Sequence, residues 1–411
     1  MRELGILIKF EYIKLFKKRS TWIILLLLLA AGIFGSVEML IGNDTNNGKT
    51  GTNYDNMIKY KENAIALSGR KINTELIREV KQANLSYLER TANVRDITKL
   101  NQIYKETTEP YESIIPLLSV GYTGDYEATE FLAHLTQEDM DNFYPLLIER
   151  QKQYFKSDNL LTKAEEEKLM EYQAKIDIPF SYSYDGGWQR FRELLDSNGL
   201  IFLIFGISIC IAPIFSGEYS NKMDSLILST KYGKQVEIWA KLIMAFSFTF
   251  FVSVIYLLLQ LAMVLMIYGT SGANNPIQLI LKLKNVAYPL DNVELTMIYI
   301  VCVVCATLLS TAITCVLSSK MKTSFSAIII SFMLTIIPVL VQIPEKYRIL
   351  NKIYSLLPSR MIQSKNIFPN YMYGIGKWLA PAYHFIPLFC ILAAAGLTVI
   401  AFRGFRNHQV A

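Results

Sequence analysis

Cysteine and histidine are scarce in this chain: five and three among 411 residues. The cysteines Cys210, Cys302, Cys305, Cys315 and Cys390 all lie inside long apolar runs. No disulfide framework can therefore staple the polar remainder, which must fold by packing. Cys302 and Cys305 form a C-x-x-C pair, but within an apolar helical run, where a face of small residues is expected rather than a redox couple. The histidines His134, His384 and His408 show no metal-ligand spacing, and neither H-E-x-x-H nor G-x-S-x-G occurs. With no nucleophile, metal set or paired acids assembled, an enzyme is not expected. GNDTNNGKT (42–50) imitates a phosphate loop, but five residues rather than four separate Gly42 from Gly48, and no strand precedes it. A linker is expected there, and no nucleotide or other cofactor on this chain. Few charges enter the apolar runs, fewer than an ion-driven carrier needs. His384, between Pro381 and Pro387, is the one candidate intramembrane polar site, with neutral packing as the alternative.

What is abundant is apolar length. The chain is 52% hydrophobic with a mean hydropathy of +0.27. A helix crossing a bilayer needs about 20 mostly apolar residues. Six segments qualify: 20–41, 197–215, 237–268, 294–319, 324–344 and 380–403. The first is too long for a signal-peptide core and lacks a small-residue cleavage site, so it reads as a retained anchor. Before it, Leu4, Leu7, Ile8, Tyr12, Leu15 and Phe16 fall at helical spacing among Lys9, Lys14, Lys17, Lys18 and Arg19. A basic amphipathic helix at this place lies in the membrane interface.

Charge sets the orientation. KLFKKRS before the first span places the N-terminus in the cytoplasm. Six spans return the C-terminus to the same side. One feature pulls against this: residues 345–380 are basic yet fall outside, and a five-span arrangement would bring them in. That stretch mixes Pro, Gly and aromatics with short apolar patches, as expected of short helices in the outer leaflet.

The polar segment 42–196 carries 19 Lys plus Arg against 26 Asp plus Glu. An acidic outer portion and a basic inner one agree with this orientation. The segment is long enough for a small core of its own. It reads as mainly helical. The stretch 73–106 lacks Gly and Pro, Thr136 begins a helix with an acidic first turn, Pro145 kinks or restarts it, and Thr162 with Glu165 forms a capping-box pattern. The expectation is thus an all-α polytopic membrane protein. It has an interface helix and first span (1–41), an extracellular helical domain (42–196), and five further spans (197–411).

Between the second and third runs stands FSGEYSNKMDSLILSTKYGKQVEIWAKL, Phe215 to Leu242, far longer than a turn requires. Met223, Leu226, Ile227 and Tyr232 form an apolar face among Lys222, Asp224, Lys231 and Lys234. Such a helix across the cytoplasmic mouth serves a cytosolic partner or anchors two spans in lipid; the residues alone leave both open.

This stretch resembles the first cytoplasmic loop of type-2 ABC permeases, the membrane subunits of bacterial exporters. Glu218, Tyr219, Leu226, Leu228, Ser229, Thr230, Lys234 and Lys241 fit the pattern, whereas Lys222 stands where Gly is usual and Lys231 where Pro is common. The basic N-terminal helix, the six-span layout and SLLPSR (355–360) fit too. The resemblance implies two six-span halves, identical or homologous, and two separate ATPase subunits that carry ATP and Mg. It also implies a coupling helix at 218–234 formed by Glu218, Tyr219, Lys222, Met223, Asp224, Leu226, Ile227, Leu228, Lys231, Tyr232 and Lys234. The expected function is ATP-driven export of a peptide, bacteriocin or drug. The alternative is a peptide sensor signalling through the same kind of ATPase. Lipid is the expected surrounding, and nucleic acid is not an expected partner.

Overall fold

The computed structural model describes residues 2–42, 52–125, 130–158, 160–197, 199–223, 226, 229, 235–279, 285–344, 346–375 and 378–407. The described residues are all-α apart from one short hairpin. Among the described residues, five helices are long and apolar enough to cross a membrane: Arg19–Leu40, Gly199–Ser220, Val236–Tyr268, Asn292–Lys320 and Ala382–Arg406. The chain is a multi-pass membrane protein. The sixth expected span is the shorter helix Ser324–Leu340, with Pro338 in its last turn. It stands at the lower limit of spanning length.

Two compact units make up the chain, one of residues 1–35, 193–262 and 297–411, the other of 36–192 and 263–296. The first holds the apolar helices. Its neighbouring helices share buried hydroxyls: Thr249 with Thr311 at 2.7 Å, Ser253 with Thr307 at 3.0 Å, and Ser208 with Ser310 at 3.3 Å. Such pairs replace water where apolar helices meet.

Pro213 breaks the second span into Gly199–Ile211 and Pro213–Ser220. The break frees the N–H groups of Phe215 and Ser216, and both donate to Ser318 Oγ of the fourth span at 3.0 Å. The Ser318 hydroxyl donates in turn to the Ala212 carbonyl at 2.5 Å. One side chain thus satisfies what the proline disrupts.

Between residues 345 and 380, short helices Arg348–Tyr354, Pro358–Met361 and Ser364–Ile367 are followed by a hairpin pairing Tyr373 with Ala380 and Ile375 with Trp378. Short helices were expected; the hairpin was not, its strands of three residues being too brief for a period-two pattern.

The second unit packs short helices around Ile72, Leu76, Ile77, Val80, Ile114, Leu118 and Leu132, all buried. Caps fix the helix starts. Thr162 and Glu165 form both halves of the expected capping box, and Thr136 with Asp139 forms another. The helical stretch 73–106 is two helices, Thr74–Thr91 and Ile97–Thr107, because Asp96 caps the second by accepting from Thr98 and Lys99. Pro145 lies in the first turn of Phe143–Ser157, where its missing N–H costs nothing, so it restarts the helix rather than kinking it. Leu279, from the segment between the third and fourth spans, belongs to the same core. The GNDTNNGKT stretch falls outside the described residues beyond Gly42.

Candidate functional site

The interface helix Arg2–Lys17 turns Leu4, Leu7, Ile8, Tyr12 and Leu15 inward, away from an exposed face that carries Lys9 and Lys17 together with Ile6, Phe10, Ile13 and Phe16. One acid shares that inner stripe. Glu11 lies three to four residues from Leu7, Ile8 and Leu15, so helical geometry carries it inward, and it is 5% exposed. Glu218, near the end of the second span, is 8% exposed, and Lys241, in the second turn of the third, is 0% exposed.

These three meet. Lys241 Nζ lies 2.9 Å from Glu11 Oε1 and 2.8 Å from Glu218 Oε1. Lys14 Nζ closes the ring from outside, 2.6 Å from Glu218 Oε1 and 3.4 Å from Glu11 Oε1. Glu237 stands 3.9 Å from Lys241, one turn away. Burial alone would lower the Lys14 ammonium, but the carboxylates of Glu218 and Glu11 outweigh it and hold it above its ordinary value. Beside the knot lies a cavity of about 100 Å³ lined by Glu11, Lys14, Lys18, Cys210, Glu218 and Asn221 among others.

Isolated buried charges are too costly to keep, and paired ones roughly break even against apolar packing. The knot therefore specifies position more than it adds stability. It fixes the interface helix against both spans at the two ends of the 221–235 segment.

The predicted coupling residues divide. Glu218 and Tyr219 do not form an exposed surface. Glu218 belongs to the knot; Tyr219 donates to the Ser319 carbonyl at 2.9 Å and stacks on Phe405, ring centroids 5.6 Å apart. Both sit in the last helical turn before the chain leaves the bundle, on the side facing the other spans.

Lys222, Met223 and Leu226 are exposed, Met223 by 42% and Leu226 by 58%. Lys222 adopts a left-handed φ of 55°. Its N–H reaches the Tyr219 carbonyl at 3.1 Å, and the Met223 N–H reaches the Glu218 carbonyl at 2.9 Å. This is the Schellman end of a helix, whose left-handed position favours Gly. Asp224, Ile227, Leu228, Lys231, Tyr232 and Lys234 lie outside the described residues.

His384 is not an interior site. It is the third residue of the last helix, exposed, with its ring against Tyr383 at 4.4 Å. Cys302 is buried and Cys305 half-buried, both as free thiols. Among the described residues no group of His, Cys, Asp and Glu could hold a metal ion.

Glu218 and Lys241 are among the residues the sequence singles out, and Glu11 is not. Glu11 sits in the interface helix, where basic residues and apolar spacing make the pattern and an acid on the apolar face leaves no signal of its own. Lys241 reads as a charge entering a span, and its double partnership needs three-dimensional proximity. No protein-family model, curated protein or solved structure matches the chain.

Proposed function

We propose that the chain is the membrane subunit of an ATP-driven exporter of the type-2 ABC kind, docking its ATPase through the 221–235 segment. The observation that carries this reading is the knot at the segment's two ends. Glu218 precedes the segment and Lys241 follows it, and Lys241 is paired to both Glu218 and Glu11. A load on the segment is thereby shared by the second span, the third span and the interface helix. Nucleotide-driven closure of a partner does mechanical work only through an element whose contacts differ between states. A short segment returned to one rigid anchor suits that role. Met223 and Leu226 offer exposed apolar contact beyond the anchor.

Burying a side chain of this size contributes roughly 1.5–3 kcal/mol. Replacing both Met223 and Leu226 by Asp is expected to lower ATPase affinity at least a hundredfold, with membrane insertion unchanged. The test is co-purification with co-expressed ABC ATPase subunits of the same organism, and stimulation of their hydrolysis. Binding and stimulation equal to wild type would contradict the proposal. The size of the 36–192 and 263–296 unit, with its own core, favours a second reading in which the complex senses a peptide rather than exporting it. Peptide binding without transport by the reconstituted complex separates the two.

A further inference from the structure

The described residues hold three deeply buried arginines, Arg190, Arg192 and Arg360, each 5% exposed or less. Two of them meet acids: Arg190 pairs with Glu38 at 3.0 Å, and Arg192 approaches Asp185 at 4.0 Å. Arg360 meets none. Its guanidinium lies over the Tyr354 ring, 5.6 Å from the centroid, and its Nε is sealed from solvent without a hydrogen bond. The hydroxyl of Ser359, the preceding residue, is likewise buried and unbonded.

The backbone here is firmly held. Pro358 opens the turn, the Arg360 N–H reaches the Leu357 carbonyl at 2.8 Å, and Asn366 Nδ2 donates to the Arg360 carbonyl at 2.7 Å. Asn366 is itself fixed by Ser355 at 3.2 Å. Arg360 is thus placed in its buried position by a polar scaffold of its own.

A guanidinium does not deprotonate in a protein, so its charge must be carried through burial. Arg360 meets only the Tyr354 ring and no carboxylate, and a buried charge in a folded protein is ordinarily matched by an opposite one. The planar fork of Arg matches a two-oxygen acceptor better than a point cation does. The surroundings add to this. Residues 345–380 carry six Lys or Arg and a single acid, Glu345. The helix Arg348–Tyr354 in the same stretch exposes Ile349, Leu350 and Ile353, as a segment resting on lipid does. This is the stretch whose basic excess opposes the charge rule for outer loops.

We propose that Arg360 anchors a binding site for a phosphate oxyanion, carried by an anionic lipid headgroup or supplied as free phosphate, with the Ser359 hydroxyl as a further donor. The bound anion is the missing counter-charge, and it accounts for a basic excess in this stretch. The inference stands apart from the exporter reading, since it needs neither an ATPase nor transport.

The test uses the purified full chain in nanodiscs of phosphatidylcholine, of phosphatidylcholine with phosphatidylglycerol, and of phosphatidylcholine with added inorganic phosphate. Melting temperature and lipid retained in native mass spectrometry are read in each. Wild type is expected to melt several degrees higher with phosphatidylglycerol and to retain it. A rise with inorganic phosphate alone assigns the site to the free anion, and a rise with phosphatidylglycerol alone assigns it to the headgroup. Arg360→Gln should lose at least tenfold in apparent affinity and Arg360→Lys somewhat less. Lys365→Gln, at an exposed cation of the same stretch, should change little. A wild type indifferent to both forms of phosphate overturns the proposal even if the Arg360 variants fail to fold. An equal loss in Lys365→Gln overturns it too, because diffuse surface charge would then explain the binding.

Discussion

A lysine ammonium that water cannot reach must be paired, and Lys241 is paired twice. Removing it leaves Glu11 and Glu218 buried with only the half-exposed Lys14 between them. Lys241→Met is expected to cost about 3–5 kcal/mol, the usual cost of breaking a buried pair from one side. Adding Glu11→Gln and Glu218→Gln should restore most of the loss, because neutral amides tolerate burial with hydrogen bonds. Thermal unfolding of the purified variants checks both. Lys222 presents the opposite case, a residue in a conformation that suits glycine. Lys222→Gly is expected to raise stability by about 0.5–1 kcal/mol. A lower melting temperature would show that the side chain makes a contact worth more than the strain. A third residue-scale prediction concerns acid. Arg70 holds Glu79 with two bonds of 2.7 Å and keeps its carboxyl below the ordinary value. A lowered folded-state value stabilises above the unfolded one and is lost as pH falls through the folded one. Both groups are about one-third exposed, so solvent screening limits the effect to about 1 kcal/mol or less. The protection factors of amides in the helix Thr74–Thr91 should fall below about pH 4.5 in wild type, and Glu79→Gln should abolish that step.

At the scale of the element, Pro213 and Ser318 act together. Ser318→Ala leaves two N–H groups unsatisfied in an apolar setting, at an expected cost of about 1–3 kcal/mol. Ser318→Thr keeps the hydroxyl and should cost less, and unfolding in detergent distinguishes the pair. The helix starts at Thr136 and Thr162 were legible in the sequence, because their caps are local, whereas the start capped by Asp96 inside 73–106 was not. The interface helix was legible for the same reason. What periodicity could not reveal was the fate of polar residues set within apolar faces. Glu11 and Glu218 are ordinary acids until Lys241, 230 and 23 residues away, is brought against them. Arg360 looked like one more charge in a basic loop, and only burial without a partner marks it out. The hairpin at 373–380 escaped because its strands are shorter than any sequence pattern that would announce them.

At the scale of the whole molecule, the polar unit is built from more than one stretch of chain. Residues 263–296 join 36–192, bringing Leu279 into its core and Tyr288 against Tyr172 at 5.6 Å. Expressed alone, residues 36–192 should therefore give a helical but labile domain. Linking 263–296 to it should raise its melting temperature by several degrees, and equal stability would show that the added stretch is peripheral. The helical unit decides where the function lies. Its buried knot stands at both ends of the 221–235 segment, where Met223 and Leu226 are exposed, and the exporter reading requires that segment to meet an ATPase. The five natural cysteines are buried or half-buried, so Leu226→Cys adds an accessible thiol on that segment. Attaching a photoactivatable crosslinker to it, in membranes containing co-expressed ABC ATPase subunits of the same organism, is the most direct measurement. The account predicts a covalent adduct with the ATPase subunit that changes in yield when ATP is added. Adducts with lipid alone, at any nucleotide concentration, would show that the segment is a membrane anchor and that the knot couples nothing.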